Sequence, residues 1–188
     1  LNPTRQMRLH RLLADAHFSL GEITESTEQA EMALNTMGLN VSQTSTALAG
    51  IHNFLQTTRL SMAQKKSRPA IFAEASRSAS RLAMCYLSQQ DEKSMIQAVE
   101  LSVSLAGKAD KHPATANVFT SAGTIMGAAN NSKKAMSYFG QAKIINQANK
   151  NITSMIQLSE AVASHAIGKG DWPQAKEAIN QASKQLKK

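Results

Sequence analysis

Five histidines, one cysteine and one short glycine loop are the places where this 188-residue chain could do chemistry. A metal held by a helix needs two imidazoles one turn apart, as in H-x-x-x-H or H-E-x-x-H, so that both reach one ion. His10, His17, His52, His112 and His165 never have that spacing; His10 and His17 lie seven apart on one helix face, with only Asp15 beside them. Gly168-Lys169-Gly170 looks like a phosphate loop, yet no strand pattern precedes it and its glycines are too close for G-x-x-x-x-G-K-[ST], so it reads as a turn between helices. Neither G-x-G-x-x-G after a strand nor a G-x-S-x-G elbow occurs. Cys85 stands between Met84 and Tyr86 in an apolar-periodic run, where a small buried hydrophobe fits better than a reactive thiol. Glu22, Glu25, Glu28 and Glu31 recur every third residue and drift around a helix as a solvated stripe. The expectation is a protein that is not an enzyme, with no catalytic residue, no cofactor and no metal.

What remains is charge. The net charge of +8 is uneven: residues 1–31 carry three arginines against five carboxylates, whereas residues 43–90 carry six cations against Glu74 alone. Part of that surplus lies in the run from Arg59 to Arg68, with Lys65 and Lys66, which reads as a solvated linker between helices. Clustered cations bind polyanions by releasing counterions, so nucleic acid or an anionic membrane is the alternative partner for this basic patch. Nucleic acid is disfavoured, because the run has no interleaved aromatics and no recognition-helix signature.

The elements that must position these groups are helices. Aromatics are 4% of the chain, and alanine, leucine, serine, glutamine and lysine recur throughout, which favours helices packed through small side chains. No apolar run is long enough to cross a membrane, and no charged stretch followed by an apolar segment opens the chain. A lone cysteine suits a reducing compartment, so a cytoplasmic location is expected. The ends, Leu1 and a lysine pair still in helical rhythm, suggest a piece of a longer polypeptide. Turn signals at Gln90-Asp91, Asn130-Asn131 and Gly170-Asp171 recur at a period of about 40 residues. Before each turn stand Leu82-Ala83, Ala122-Gly123 and Val162-Ala163; after each come Met95, Ala135 and Ala175, then Val99, Phe139 and Ile179, then Ser102, Ala142 and Ala182. Gly21, preceded by Leu13-Ala14 and followed by Ser26, Ala30 and Ala33, opens the series. Small residues at matching sites let two backbones approach, and the bulky residue between them fills the remaining gap. The spacing predicts helices near 4–19, 22–37, 43–65, 69–88, 92–107, 113–128, 132–149, 151–168 and 172–187, with Pro69, Pro113 and Pro173 close to starts.

This pattern resembles the tetratricopeptide repeat, which has small residues at its eighth, twentieth and twenty-seventh positions and a bulky one at its twenty-fourth. Ala163, Gly170-Asp171-Trp172, Ala175, Ile179 and Ala182 match it best, and Gly123, Ala135, Phe139 and Ala142 nearly as well. Four hairpins, near 4–38, 69–108, 113–149 and 151–187, cover about four-fifths of the chain, with residues 43–65 as an extra helix. The implied fold is an all-α, right-handed superhelix forming one domain over residues 1–188. The long period is similar to that of repeats in regulatory regions of bacterial signalling proteins such as STAND-type ATPases and nucleotide-cyclase-linked ATPases. By the same resemblance Trp172 packs against the first helix of its own hairpin. First helices line a groove, and the family register places Arg8, Arg11 and Asp15, then Arg77, Ser80 and Met84, then Asn117, Thr120 and Thr124, then Gln157, Glu160 and Ser164 on it. The expected role is a non-catalytic interaction scaffold that binds a protein, a peptide (acidic ones included) or other domains of its parent. Homodimerisation through the terminal repeats is a further expectation, since Ile179 and Ala182 have no polar cap.

Overall fold

The computed structural model describes residues 3–39 and 62–186, and all regular structure among them is helical. The helices are α1 (Pro3–Leu20), α2 (Ile23–Asn35), α3 (Met62–Ser88), α4 (Glu92–Gly107), α5 (Thr115–Ala128), α6 (Ser132–Asn149), α7 (Ile152–Gly168) and α8 (Trp172–Leu186). They fall into two compact units, Leu1–Asp110 and Lys111–Lys188. In the N-terminal unit α1 packs on α2, α3 packs on both, and α4 packs on α3; in the C-terminal unit α5 pairs with α6, α7 pairs with α8, and α7 also lies against α5 and α6.

One turn geometry explains the period of the sequence. Gln90, Asn130 and Gly170 adopt positive φ angles of 59°, 59° and 72°, as does Gly21 at 80°. The next residue's N–H then reaches back five residues, from Glu22 to His17 O, Asp91 to Tyr86 O, Asn131 to Met126 O and Asp171 to Ala166 O. These bonds satisfy carbonyls that the ending helix leaves unpaired. The same residue opens the next helix: the side chains of Asp91, Asn131 and Asp171 accept from the N–H of Ser94, Lys134 and Gln174, each at 3.1 Å. Glu22 does not cap in this way, and its carboxylate instead meets His17 Nδ1 at 2.6 Å. The Ser94 bond holds the Asp91 carboxyl below the usual carboxylate range. A depressed pKa means the cap contributes fully above the unfolded-state pKa and is lost as pH falls through the folded one.

Small residues bring the pairs together. Ser26 Oγ donates to Ala14 O at 2.8 Å and lies 3.2 Å from Cys85 Sγ, so α1, α2 and α3 meet where their side chains are smallest. Ala30, Ala33 and Ala83 are buried in the N-terminal unit together with Cys85, and Ala135, Ala142 and Ala175 are buried in the C-terminal unit. Tyr86 donates its hydroxyl to Glu31 Oε1 at 3.1 Å; burial, then that carboxylate, pushes the phenol well above its ordinary pKa.

Three expectations fail, one of them at Ile179, which is 52% exposed and does not fill the gap of the last hairpin as Val99 and Phe139 do in theirs. The helix from Met62 runs through Pro69 to Ser88, with no break between 65 and 69. Pro69 therefore sits inside the helix, where it withholds one N–H bond, and is not its opening residue. The part of the extra helix at 43–61 lies outside the described residues. Trp172 does not pack on α7: it is 66% exposed. As the first residue of α8 it sits on the flank of that helix shared with Ile179 and Leu186, both also exposed, while Ala175 and Ala178 face the core. Because this is the chain's one tryptophan, its fluorescence should be that of a solvated indole and acrylamide should quench it as efficiently as free tryptophan. A shielded, blue-shifted emission would contradict the placement.

Asn146 is 1% exposed, and neither atom of its side-chain amide has a hydrogen-bond partner among the described residues. An unpaired buried polar group costs about 1–3 kcal/mol. Asn146→Leu, similar in size, is expected to raise stability by about 1 kcal/mol in denaturant titration; a loss of stability would show that the amide is satisfied.

Candidate functional site

The residues expected along a groove, together with the basic patch, fall into three environments. On the N-terminal unit, Arg11 and Asp15 stand one turn apart on α1 and face Glu74, Arg77 and Arg81, which share one face of α3. Arg11 Nε donates to Glu74 Oε2 at 2.7 Å and its Nη1 to Asp15 Oδ2 at 2.5 Å. Arg81 Nε reaches Asp15 Oδ1 at 2.7 Å, with its guanidinium 4.3 Å above the Phe18 ring. Arg77 Nη1 approaches Glu74 Oε1 at 3.3 Å. Five side chains thus form one alternating chain of charge, with three guanidiniums to two carboxylates.

This corrects the reading of Arg11. It is 2% exposed and spent on joining α1 to α3, so it is not an open groove residue. Ser80 is buried and Met84 half-buried. Arg8 is exposed and forms no ion pair among the described residues, while Arg77 keeps part of its side chain in solvent. The Arg77 pKa is lowered, first by burial and next by Arg11, with Arg8 adding to the effect and Glu74 and Asp15 opposing it. The guanidinium thus stands where three arginines outnumber the two carboxylates that oppose them. Sequence reasoning missed Glu74 and Arg81, although Glu74, Arg77 and Arg81 have the i, i+3, i+7 spacing of one helix face.

On the C-terminal unit, the Thr120 and Thr124 hydroxyls donate to the carbonyls of Ala116 and Thr120, each one turn back and 3.1 Å away. Thr120 is buried; Asn117 and Thr124 on α5 and Gln157, Glu160 and Ser164 on α7 face solvent. A cleft of about 720 Å³ lies elsewhere on this unit, between α6 and α8 over α7. Its floor is Phe139, Leu158 and Ala178, its wall includes Met136 and Gly140, and its rim carries Lys143, Lys184 and Glu177. The lining on α6 runs from Met136 to Gln147 and on α8 from Gln174 to Gln185, three turns each, or about 16 Å. Residues 111–188 hold ten lysines and no arginine, against Glu160, Asp171 and Glu177.

The third environment is the basic segment. Arg59 lies outside the described residues. Lys65, Lys66 and Arg68 are on the opening turns of α3 and not on a linker. Arg68 is exposed, its guanidinium 5.7 Å from the Phe72 ring centre. Lys108, at the end of α4, has its pKa lowered by burial and by Arg68.

The described histidines have local partners: His10 Nδ1 meets Gln29 Oε1 at 2.8 Å, His17 pairs with Glu22, His112 Nδ1 accepts from the Ala114 N–H, and His165 lies edge-on to Phe139. Among the described residues no three His, Cys, Asp or Glu side chains gather into a metal-holding group, and no helix is long and apolar enough to cross a membrane. No protein-family model matches the chain, and comparison with curated proteins finds no match.

Proposed function

We propose that this chain is a non-catalytic protein-interaction module, a tetratricopeptide-like array whose hairpins wind into a right-handed superhelix. In this reading it serves in the cytoplasm as a regulatory or partner-binding part of a larger bacterial signalling protein. The observation that carries the binding role is the charge chain across α1 and α3, with one guanidinium more than its carboxylates and the exposed Arg8 beside it. An acidic peptide would compensate that surplus through charge-assisted bonds to Arg8 and the free N–H groups of Arg77. The recurring turn at four hairpins supports the repeat assignment. The exposed flank of Trp172, Ile179 and Leu186 is where self-association would occur.

The test is binding of a fluorescent Glu- and Asp-rich decapeptide to the full chain. Arg8→Glu is exposed and unpaired, so the fold should not change, yet binding should weaken at least about tenfold, with a smaller salt dependence. Arg77→Gln should weaken it as well. Unchanged affinity in Arg8→Glu would remove this surface as the site.

A second reading, polyanion binding through residues 59–68, is favoured by the closeness of Arg68 to Lys108, whose pKa that arginine helps to lower. Salt-titrated binding to DNA and to anionic vesicles, compared with Arg68→Glu, separates it from the first.

A further inference from the structure

The cleft of the C-terminal unit has the form and the charge of a helix-docking site, and it is independent of the α1–α3 surface. Its length is decisive. Its two walls are helices that both lean on α7 and stand apart from each other for three turns, leaving a trough open along its length. A third helix, about 10 Å across with its side chains, fills such a trough by the same ridge-and-groove packing that holds the walls to their floor. The floor is apolar: Phe139, Leu158 and Ala178 are nearly fully buried beneath it, and Met136 stands 40% exposed at its side. Met is a side chain that adapts to an incoming apolar surface.

The rim decides the polar face of the occupant. Lys143 and Lys184 form no ion pair among the described residues, and the single carboxylate there, Glu177, already accepts from Gln181 Nε2 at 3.0 Å. Beyond the rim, α6 and α8 add Lys133, Lys134 and Lys176 and no further acid. A second copy presenting this same face would bring lysine against lysine. We propose that the trough between α6 and α8 docks a partner's amphipathic helix, its apolar stripe lying over Phe139 and Leu158 and its acidic flank meeting Lys143 and Lys184.

Gly140 supplies the test. A Cβ there meets nothing within 4 Å, and the residue is helical with ordinary φ, so Gly140→Leu fills the trough while improving helix propensity. The probes are three synthetic eighteen-residue peptides with leucines at i, i+3, i+4 and i+7: one with glutamates on the other face, one with lysines there, and one glutamate peptide with a central proline. Fluorescence polarisation with the full chain should show binding of the glutamate helix, at least tenfold weaker binding of the other two, and at least tenfold loss in both Gly140→Leu and the Lys143→Glu/Lys184→Glu double variant. Thermal unfolding of Gly140→Leu at or above the wild-type midpoint shows that the loss is not misfolding. Equal binding of the lysine helix, or unchanged affinity in Gly140→Leu, would overturn the proposal. So would self-association or binding to phosphatidylserine vesicles that Gly140→Leu abolishes, since the trough would then belong to a second copy or a membrane. The decapeptide binding assigned to Arg8 should survive Gly140→Leu, so the two surfaces fail separately.

Discussion

Arg11→Met should lower the stability of the chain by about 3 kcal/mol, because it leaves two carboxylates facing each other across α1 and α3 without the cation that joins them. Removing one member of a buried ion pair costs about 3–5 kcal/mol, and the lower figure applies here for two reasons. Asp15 keeps Arg81 at 2.7 Å and is about a third exposed, and Glu74 keeps Arg77, though at 3.3 Å. A methionine fills most of the space of the lost stem, so packing contributes little to the difference. The double change Arg11→Met/Glu74→Met should recover most of the loss, since replacing both partners by apolar groups is nearly neutral. Urea unfolding followed by circular dichroism gives both values; equal losses in the single and double variants would show that the charge chain is not what joins the helices.

Gly123→Ala should lower stability by about 2 kcal/mol, although the same exchange in an unconstrained helix gains about 1 kcal/mol. A Cβ at Gly123 would lie 2.5 Å from Phe139 Cε1 and 2.6 Å from Cδ1. The ring is buried and rests edge-on against His165, with 6.0 Å between ring centres, so it can yield only by giving up that contact and moving toward the cleft. His165 in turn lies on Gly127, where a Cβ would come within 2.6 Å of Nδ1. Gly123 and Gly127, one turn apart, thus make a flat strip on α5 that receives one ring from α6 and one from α7. Gly123→Ala must displace Phe139, His165 or the backbone of α5 itself.

What could be read from the sequence was what repeats within a few residues. The turns at 90, 130 and 170 were legible because the left-handed residue and the cap that follows it are neighbours in the chain, and Asn, Gly and Asp declare themselves there. The small residues were legible for a related reason, since Ala135 and Ala142 are two turns apart on one helix face. The fate of Arg11 was not legible, because its second partner, Glu74, is 63 residues away and only the packing of α1 on α3 brings them together. Pro69 misled because proline fits a first turn so well that an apolar-periodic run starting there reads as a new helix. Trp172 misled because an aromatic beside a turn is buried only if a neighbouring surface extends that far, and α7 ends at Gly168. The cleft over α7 is a space between helices, set by how far α6 and α8 stand apart, which no spacing within either helix encodes.

The intimate approach of helix pairs at their smallest residues is tested most directly by denaturant unfolding of Gly123→Ala and Gly140→Ala side by side. The two are the same exchange in neighbouring helices of one unit, one under a ring and one with nothing within 4 Å. Gly140→Ala should gain about 1 kcal/mol and Gly123→Ala should lose about 2 kcal/mol. If both gain alike, α5 and α6 do not meet at Gly123 and the hairpins are not packed in this way.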